Sequence, residues 1–283
     1  MIAITGASGN LGQLTLFHLT KKMDPSQVVA VVRDPKKLTS YRDSGIVIRQ
    51  ADYGDPESLA RAFSGVGKLL QISASATGIL GQQHELNVVK AANAAGVEKI
   101  TYTSTLTPSS AAVFDAGRTC SITEQAIKDS GLDYIFFRNS MYQETIPMFI
   151  GSAVQDGQIY YPSGEGKVSF ATRTDMAEAL ANVLLADGHH KVTYRITGDE
   201  ALSFADIAAL LKTEKRLDAT HHDIPSDAFK EELGKAGLPQ SEIDFMASMA
   251  ASIRAGEFSA VDDQLENLLG RPRFKTSDYV RSL

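Results

Sequence analysis

The sequence predicts an α/β protein: a doubly wound parallel sheet followed by a smaller, mostly helical C-terminal lobe. Three observations predict it. A charge-free apolar run, Met1–Thr5, is followed at once by Gly6, Gly9 and Gly12, spaced G-x-x-G-x-x-G, and then by an amphipathic segment, which is the order strand, turn, helix. Apolar runs then alternate with helical segments as far as Arg138, the rhythm of βαβ units. From Leu202 onward the pattern is almost wholly helical.

The glycine run makes the first unit a Rossmann nucleotide-binding turn. Gly6 lets the chain leave the strand sharply, Gly9 lets the backbone approach a pyrophosphate, and Gly12 lets the helix pack closely on the sheet. The anion then rests on the free amides at the helix start, with Ala7, Ser8, Asn10 and Leu11 completing the turn. Helical spacing of Leu11, Leu14, Phe17 and Leu19 predicts the buried stripe, and Lys21-Lys22 suits the negative helix end.

Val28–Val32 is a second, fully apolar strand that ends at Arg33. At this place an acid reads the ribose hydroxyl of NAD, whereas an arginine accommodates the 2′-phosphate of NADP. Arg33, with Lys36 and Lys37 nearby, favours NADP(H); Asp34 is the opposing signal. The third strand, Ile46–Arg49, leads to Asp52 and Tyr53 at its carboxyl end, where Asp52 either meets the adenine amino group or begins the turn into a helix over Pro56–Phe63. Lys68–Ile72 is the fourth strand, and Ser73, Ala74 and Ser75 after it are small enough for close approach to ribose and phosphates. A helix over Gly81–Ala95, a fifth strand Lys99–Ser104, a helix over Ile122–Ser130 and a sixth strand Tyr134–Arg138 follow, for the strand order 3-2-1-4-5-6.

The expected division is a nucleotide-binding domain over residues 1–150, its sheet completed within 168–197, and a substrate lobe over 151–283. Residues 156–167 are rich in turn formers. Val168–Thr172 and Val192–Thr197 read as strands, and Met176–Leu185 as a helix. Further helices are expected near 203–213, 226–236, 240–254 and 261–269, with Phe245, Met246 and Met249 facing a pocket.

Composition narrows the class. With 43% hydrophobic and 22% charged residues among 283, the chain has the balance of a core-forming globular protein. A formal charge of −6 gives no basic footprint, so nucleic acid is not an expected partner. The single cysteine permits no internal disulfide and agrees with a reducing compartment. A strand beginning at Ile2 leaves no room for a signal peptide ahead of it, and no apolar run approaches the ~20 residues of a membrane span. The expectation is a cytoplasmic protein without a membrane partner; a homodimer is compatible with the sequence.

Several stretches together resemble one family. Gly6–Gly12, Val31-Val32-Arg33, Ile46–Asp55, Tyr102-Thr103-Ser104, Phe137-Arg138-Asn139, Gly164–Lys167, Ala171–Asp175 and Leu269–Pro272 are similar to the NmrA-like branch of atypical short-chain dehydrogenase/reductases. Within it the likeness is to bacterial NAD(P)H:quinone oxidoreductases and triphenylmethane-dye reductases. The resemblance implies NADP(H) as cofactor, held by Gly6–Leu11, Arg33, Ser73–Ser75 and Arg138–Tyr142, and a small C-terminal substrate lobe.

One departure bears on the chemistry. Conventional members carry Tyr-x-x-x-Lys on the helix after the fifth strand; anchored on Glu124, those positions here hold Ala116 and Cys120. Hydride addition to an unactivated carbonyl needs that acid. A quinone or cationic dye yields a delocalised product and needs mainly to be held against the nicotinamide in a dry site. The expected activity is therefore NADPH-dependent reduction of a quinone or similarly activated aromatic acceptor. Ser104 would bond the acceptor oxygen, and Asn139 and Tyr142 would orient acceptor or nicotinamide. A non-catalytic NADP(H)-sensing protein is the alternative from a different class. No metal site is expected: His189-His190 and His221-His222 are adjacent pairs, whose side chains point apart.

Overall fold

The computed structural model describes residues 1–41 and 43–283. The chain forms two compact units: Met1–Thr105, Thr119–Arg138 and Arg173–Tyr194 build the first, and Leu106–Arg118, Asn139–Thr172 and Arg195–Leu283 the second. In chain order the elements are β1 (Ile2–Thr5), α1 (Asn10–Thr20), β2 (Val28–Val32), β3 (Val47–Gln50), α2 (Pro56–Ala62), β4 (Lys68–Gln71), α3 (Gly78–Ala94), β5 (Lys99–Thr105), α4 (Asp115–Asp129) and β6 (Asp133–Asn139). They continue with α5 (Ile146–Ile150), α6 (Ala153–Asp156), β7 (Gln158–Tyr160), α7 (Arg173–Leu185), β8 (Val192–Ile196), α8 (Phe204–Lys215) and β9 (Thr220–His222). Four helices close the chain: α9 (Ser226–Lys235), α10 (Gln240–Arg254), α11 (Gln264–Leu269) and α12 (Thr276–Ser282).

The main sheet has the order β3-β2-β1-β4-β5-β6-β8, the expected Rossmann arrangement with a seventh strand added beyond β6. β1 runs parallel to both β2 and β4, with Ile2 opposite Val28 on one side and Lys68 on the other. The strand order therefore reverses at β1, which places a crevice beyond its carboxyl end. β1 and β2 are buried at every residue, as strands covered on both faces must be.

The stripe of α1 is narrower than its spacing suggests. Leu11, Leu16 and Leu19 are buried, but Phe17 is 46% exposed. It lies on the outer face, where the Lys21 ammonium covers its ring 3.8 Å from the centroid, a cation–π contact. The inner side of α1 packs with α7.

The second unit has its own core, in which Phe149, Tyr161, Phe170 and Phe204 interlock with Ile207, Ile253 and Phe258. The Tyr161 and Phe204 rings are 4.7 Å apart, and Phe149 meets Tyr161 edge-on at 5.3 Å. Phe245, Met246 and Met249 are half-buried against this core. α8 starts in a reciprocal cap: Ser203 Oγ accepts from the Asp206 amide at 3.1 Å, and Asp206 Oδ2 accepts from the Ser203 amide at 2.9 Å.

Two expectations need correction here. Val192–Ile196 joins the main sheet, but Val168–Thr172 is not a strand: its β-pairings are isolated bridges, Val168 to Leu202 and Ala171 to Tyr142, and Ser169 bonds through its backbone to Phe258 and Gly198 instead of to a ladder. Its apolar character reflects burial in the second unit's core, where Val168 and Phe170 are at most 1% exposed. Conversely, the turn-rich stretch after Asp156 contains β7, which pairs in parallel with β9, Gln158 opposite Thr220.

Candidate cofactor and active site

A cleft opens in the first unit at the carboxyl ends of β1 to β4. Gly6, Ser8 and Gly9 line it from the β1–α1 turn, and Val31, Val32, Arg33 and Lys37 from the end of β2. Ala51, Asp52 and Tyr53 follow from β3, Ile72 to Ala76 from β4, and His84 from α3.

The glycine turn has the shape its spacing calls for. Gly6 takes φ +62°, a left-handed conformation costly for other residues, and its carbonyl accepts from the Gly9 amide at 2.9 Å. A Cβ on Gly12 would stand 2.7 Å from the Ala7 Cα and closer still to the Gly6 carbonyl oxygen, so only glycine lets α1 start this near β1. Gly9 caps α1 without a side chain, and the first turn carries no acid. The positive end of an 11-residue helix is thus left open to an anion. Ala7 and Leu11 are buried beneath the turn, while Asn10 is exposed at the helix start.

At the far end of the cleft stand two cations, Arg33 and Lys37. Asp34 accepts a hydrogen bond from the Lys36 amide at 3.0 Å, so its carboxylate organises the turn that carries Lys37. The sequence singled out Arg33 and left Lys37 as a neighbour. A 3₁₀ turn beginning at Pro35 is what brings Lys37 round to the same wall.

Asp52 lines the cleft and its Oδ1 accepts from the Gly54 amide at 2.7 Å. Asp52 thus begins the turn into α2, its carbonyl accepting from the Asp55 amide at 2.9 Å, and Asp55 caps the helix by accepting from the Glu57 and Ser58 amides at 3.1 Å each. Tyr53 crosses the floor and donates its hydroxyl to the Ile72 carbonyl at 2.9 Å; burial pushes its pKa above the usual phenol range. Ser73, Ala74 and Ser75 form the wall after β4. His84, on α3, carried no signal in the sequence for its place in the cleft.

The other candidate residues lie outside this lining. Ser104, in the first unit, is 5% exposed at the end of β5, and its hydroxyl makes no hydrogen bond of good geometry although the Cys120 thiol is close by. Asn139, at the end of β6, and Tyr142, bridged through its backbone to Ala171, belong to the second unit. Asn139 is 7% exposed, and its Oδ1 is buried without a partner. Arg138 makes a two-point contact with the Glu124 carboxylate. Cys120 is buried and accepts from the Tyr102 hydroxyl at 3.4 Å; burial pushes the thiol up to about 11, so it is not a thiolate at neutral pH. Among the described residues no group of three or more His, Cys, Asp or Glu is placed to hold a metal, and no helix is long and apolar enough to cross a membrane.

Comparison with known proteins places this geometry. Residues 6–187 match the NAD(P)H-binding family. Quinone oxidoreductase 2 of Escherichia coli is 36% identical over 283 residues, covering 100% of this chain and 98% of that protein. The chain belongs to the NAD(P)H-binding family. Within this family its full-length relatives include an NmrA-like oxidoreductase of Aspergillus flavus, 27% identical over 99% of this chain and 94% of that protein, in line with the NmrA-like resemblance. The crystal structure of the E. coli NADPH-dependent quinone oxidoreductase with NADPH superposes with a TM-score of 0.94 at 35% identity, covering 100% of this chain and 99% of that one. The Citrobacter sp. triphenylmethane reductase with NADP(H) gives a TM-score of 0.92 at 33% identity over 100% and 99%. This family member is an NAD(P)H-dependent oxidoreductase, and its glycine turn, open helix end and paired cations fit the cofactor.

Proposed function

We propose that this protein uses NADPH to reduce a quinone or a similarly activated aromatic acceptor. The observation that carries the cofactor preference is the pairing of Arg33 with Lys37 on the cleft while Asp34 binds the Lys36 amide. Two cations match a dianionic 2′-phosphate, and the acid that would select a ribose hydroxyl is engaged in its own turn.

The acceptor class is supported by relatives named for quinone, dye and azo reduction, the last an NAD(P)H azoreductase of Xenophilus azovorans at 25% identity over 100% of this chain. It is also supported by Ala116 and Cys120 at the positions of the usual acid pair. Bound NADPH supplies a hydride from its nicotinamide. The chain has to hold an acceptor, exclude water and stabilise a delocalised anion rather than a basic alkoxide. In this reading Ser104 Oγ donates to the acceptor oxygen, while Asn139 and Tyr142 orient the nicotinamide or the acceptor ring. Their supports are the burial of Ser104 and Asn139 and the polar atom each leaves without a good partner.

Purified protein mixed with NADPH and a simple quinone should consume NADPH, followed by its absorbance. NADPH binding without consumption, across several quinones and dyes, would overturn the reductase reading and favour a cofactor sensor.

A further inference from the structure

Glu85 carries the only acidic side chain of α3 and is 1% exposed, behind the wall that follows β4. Its Oε1 accepts from the Ala74 amide at 2.5 Å, and its Oε2 accepts from the Gln71 side-chain amide. The bonds around it form a set. Thr5 Oγ1 accepts from the Ile72 amide at 3.2 Å, Thr103 Oγ1 from the Ser73 amide at 2.9 Å, and Tyr53 donates to the Ile72 carbonyl. Side chains from β1, β3's end, β5 and α3 thus fix consecutive residues of one loop. The loop is also fixed further on: a Cβ on Gly81 would collide with the Ala76 carbonyl.

From this geometry we infer that Glu85 is a positioning residue for the cofactor: by holding the Ala74 amide it sets the Ser73–Ala76 wall, and cofactor affinity depends on it. The inference rests on the cleft being the NADPH site. Among the side chains that hold the loop, Glu85 alone is an acid, and none of them is a cation. The titratable groups that face it are Tyr53 beyond β3, Tyr102 on β5 and Cys120 on α4, all kept protonated by burial. Desolvation raises the Glu85 carboxyl to about 7, against the bonds from Ala74 and Gln71, so the charge behind the wall changes near neutrality.

Two protonation states keep the wall in place. Ionised, the carboxylate accepts from both amides. Neutral, it keeps Ala74 on Oε1 and donates to Gln71 Oε1, an oxygen that has no partner in the present orientation of that amide. The neutral state removes a negative charge from behind a cleft that takes an anionic cofactor, so cofactor binding and proton uptake are coupled.

The test measures NADPH dissociation constants across about pH 6 to 8 for wild type, Glu85→Gln and Glu85→Ala, with kcat and the NADPH KM for each. Glu85→Gln keeps the neutral hydrogen-bond pattern without a titrating group. It should match wild type at the acid end and bind about three- to tenfold more tightly at the alkaline end, any titration of the cofactor phosphate being common to both. Glu85→Ala should raise Kd and KM about tenfold, with the loss in KM rather than kcat. An unchanged Kd in Glu85→Ala overturns the inference, and parallel pH profiles for wild type and Glu85→Gln overturn its coupling to proton uptake. Should Glu85→Ala fail to fold, Glu85→Asp, one methylene too short to hold the Ala74 amide in the same place, decides by the same rise in Kd and KM. Wild type that binds no NADPH at any pH would instead overturn the cofactor reading itself.

Discussion

The Arg138 guanidinium forks onto the Glu124 carboxylate, Nε to Oε1 at 3.0 Å and the terminal nitrogen to Oε2 at 2.6 Å, with the Glu124 side chain only 3% exposed. Both residues belong to the first unit, so this pair ties the end of β6 to α4. Removing either partner leaves a desolvated charge, at a cost of about 3 kcal/mol. Arg138→Ala should therefore lower the unfolding free energy by that much, read from urea titration. If its main task were the cofactor instead, NADPH affinity would fall with stability unchanged.

Arg33 and Lys37 should act on the phosphate and on nothing else. Each charge-assisted contact is worth about 1.5–3 kcal/mol, or roughly ten- to a hundredfold in affinity. Arg33→Ala and Lys37→Ala should each weaken NADPH by at least about tenfold and leave NADH nearly unchanged, measured by cofactor fluorescence. Equal losses for both cofactors would show that the pair does not read the 2′-phosphate.

Gly12→Ala should damage both fold and cleft. Its new Cβ would meet backbone, the Gly6 carbonyl and the Ala7 Cα, so α1 must shift away from β1. Such overpacking costs about 1–3 kcal/mol. Thermal melting should show the loss, and a weaker NADPH affinity should accompany it because the shifted helix end carries the anion site. Wild-type melting and affinity together would mean that the close approach is not needed.

Glu85 also gives stability a pH dependence of known sign. Its folded pKa, about 7, lies above the unfolded value of 4.5, because burial disfavours the charge. The folded state then binds the proton more tightly, so this contribution is complete below about 4.5 and is lost as pH rises through about 7. The loss is on the order of 3 kcal/mol. Urea titrations at acid and alkaline pH should show Glu85→Gln gaining on wild type as pH rises; a constant difference between the two would contradict it.

The parts of this protein that were legible in its sequence are those with local causes. Gly6, Gly9 and Gly12 announce themselves because strand, turn and helix start are contiguous, and Arg33 because it ends an uninterrupted apolar strand. The strand order followed from alternation and handedness alone. Asp34 stayed ambiguous because sequence does not say which way a carboxylate turns; in the structure it accepts from an amide two residues on. Val168–Thr172 has a strand's composition, yet its burial comes from core packing rather than from a ladder. β7 and β9 are three residues each, too short for periodicity, with partners about 60 residues apart. Glu85 was invisible for a similar reason: a glutamate in a helix reads as solvated until β4 and its loop close over it.

The wall beyond β4 has one more property. Its Ile72, Ser73 and Ala74 N–H groups are each committed to a side chain of the protein, so these three amides are not free to donate to a ligand. The start of α1, by contrast, leaves its first-turn amides without a side-chain cap. The two walls therefore differ in hydrogen-bond sense, one donor-rich and the other donor-depleted. An anion entering the cleft should therefore settle toward the helix start rather than against the loop after β4.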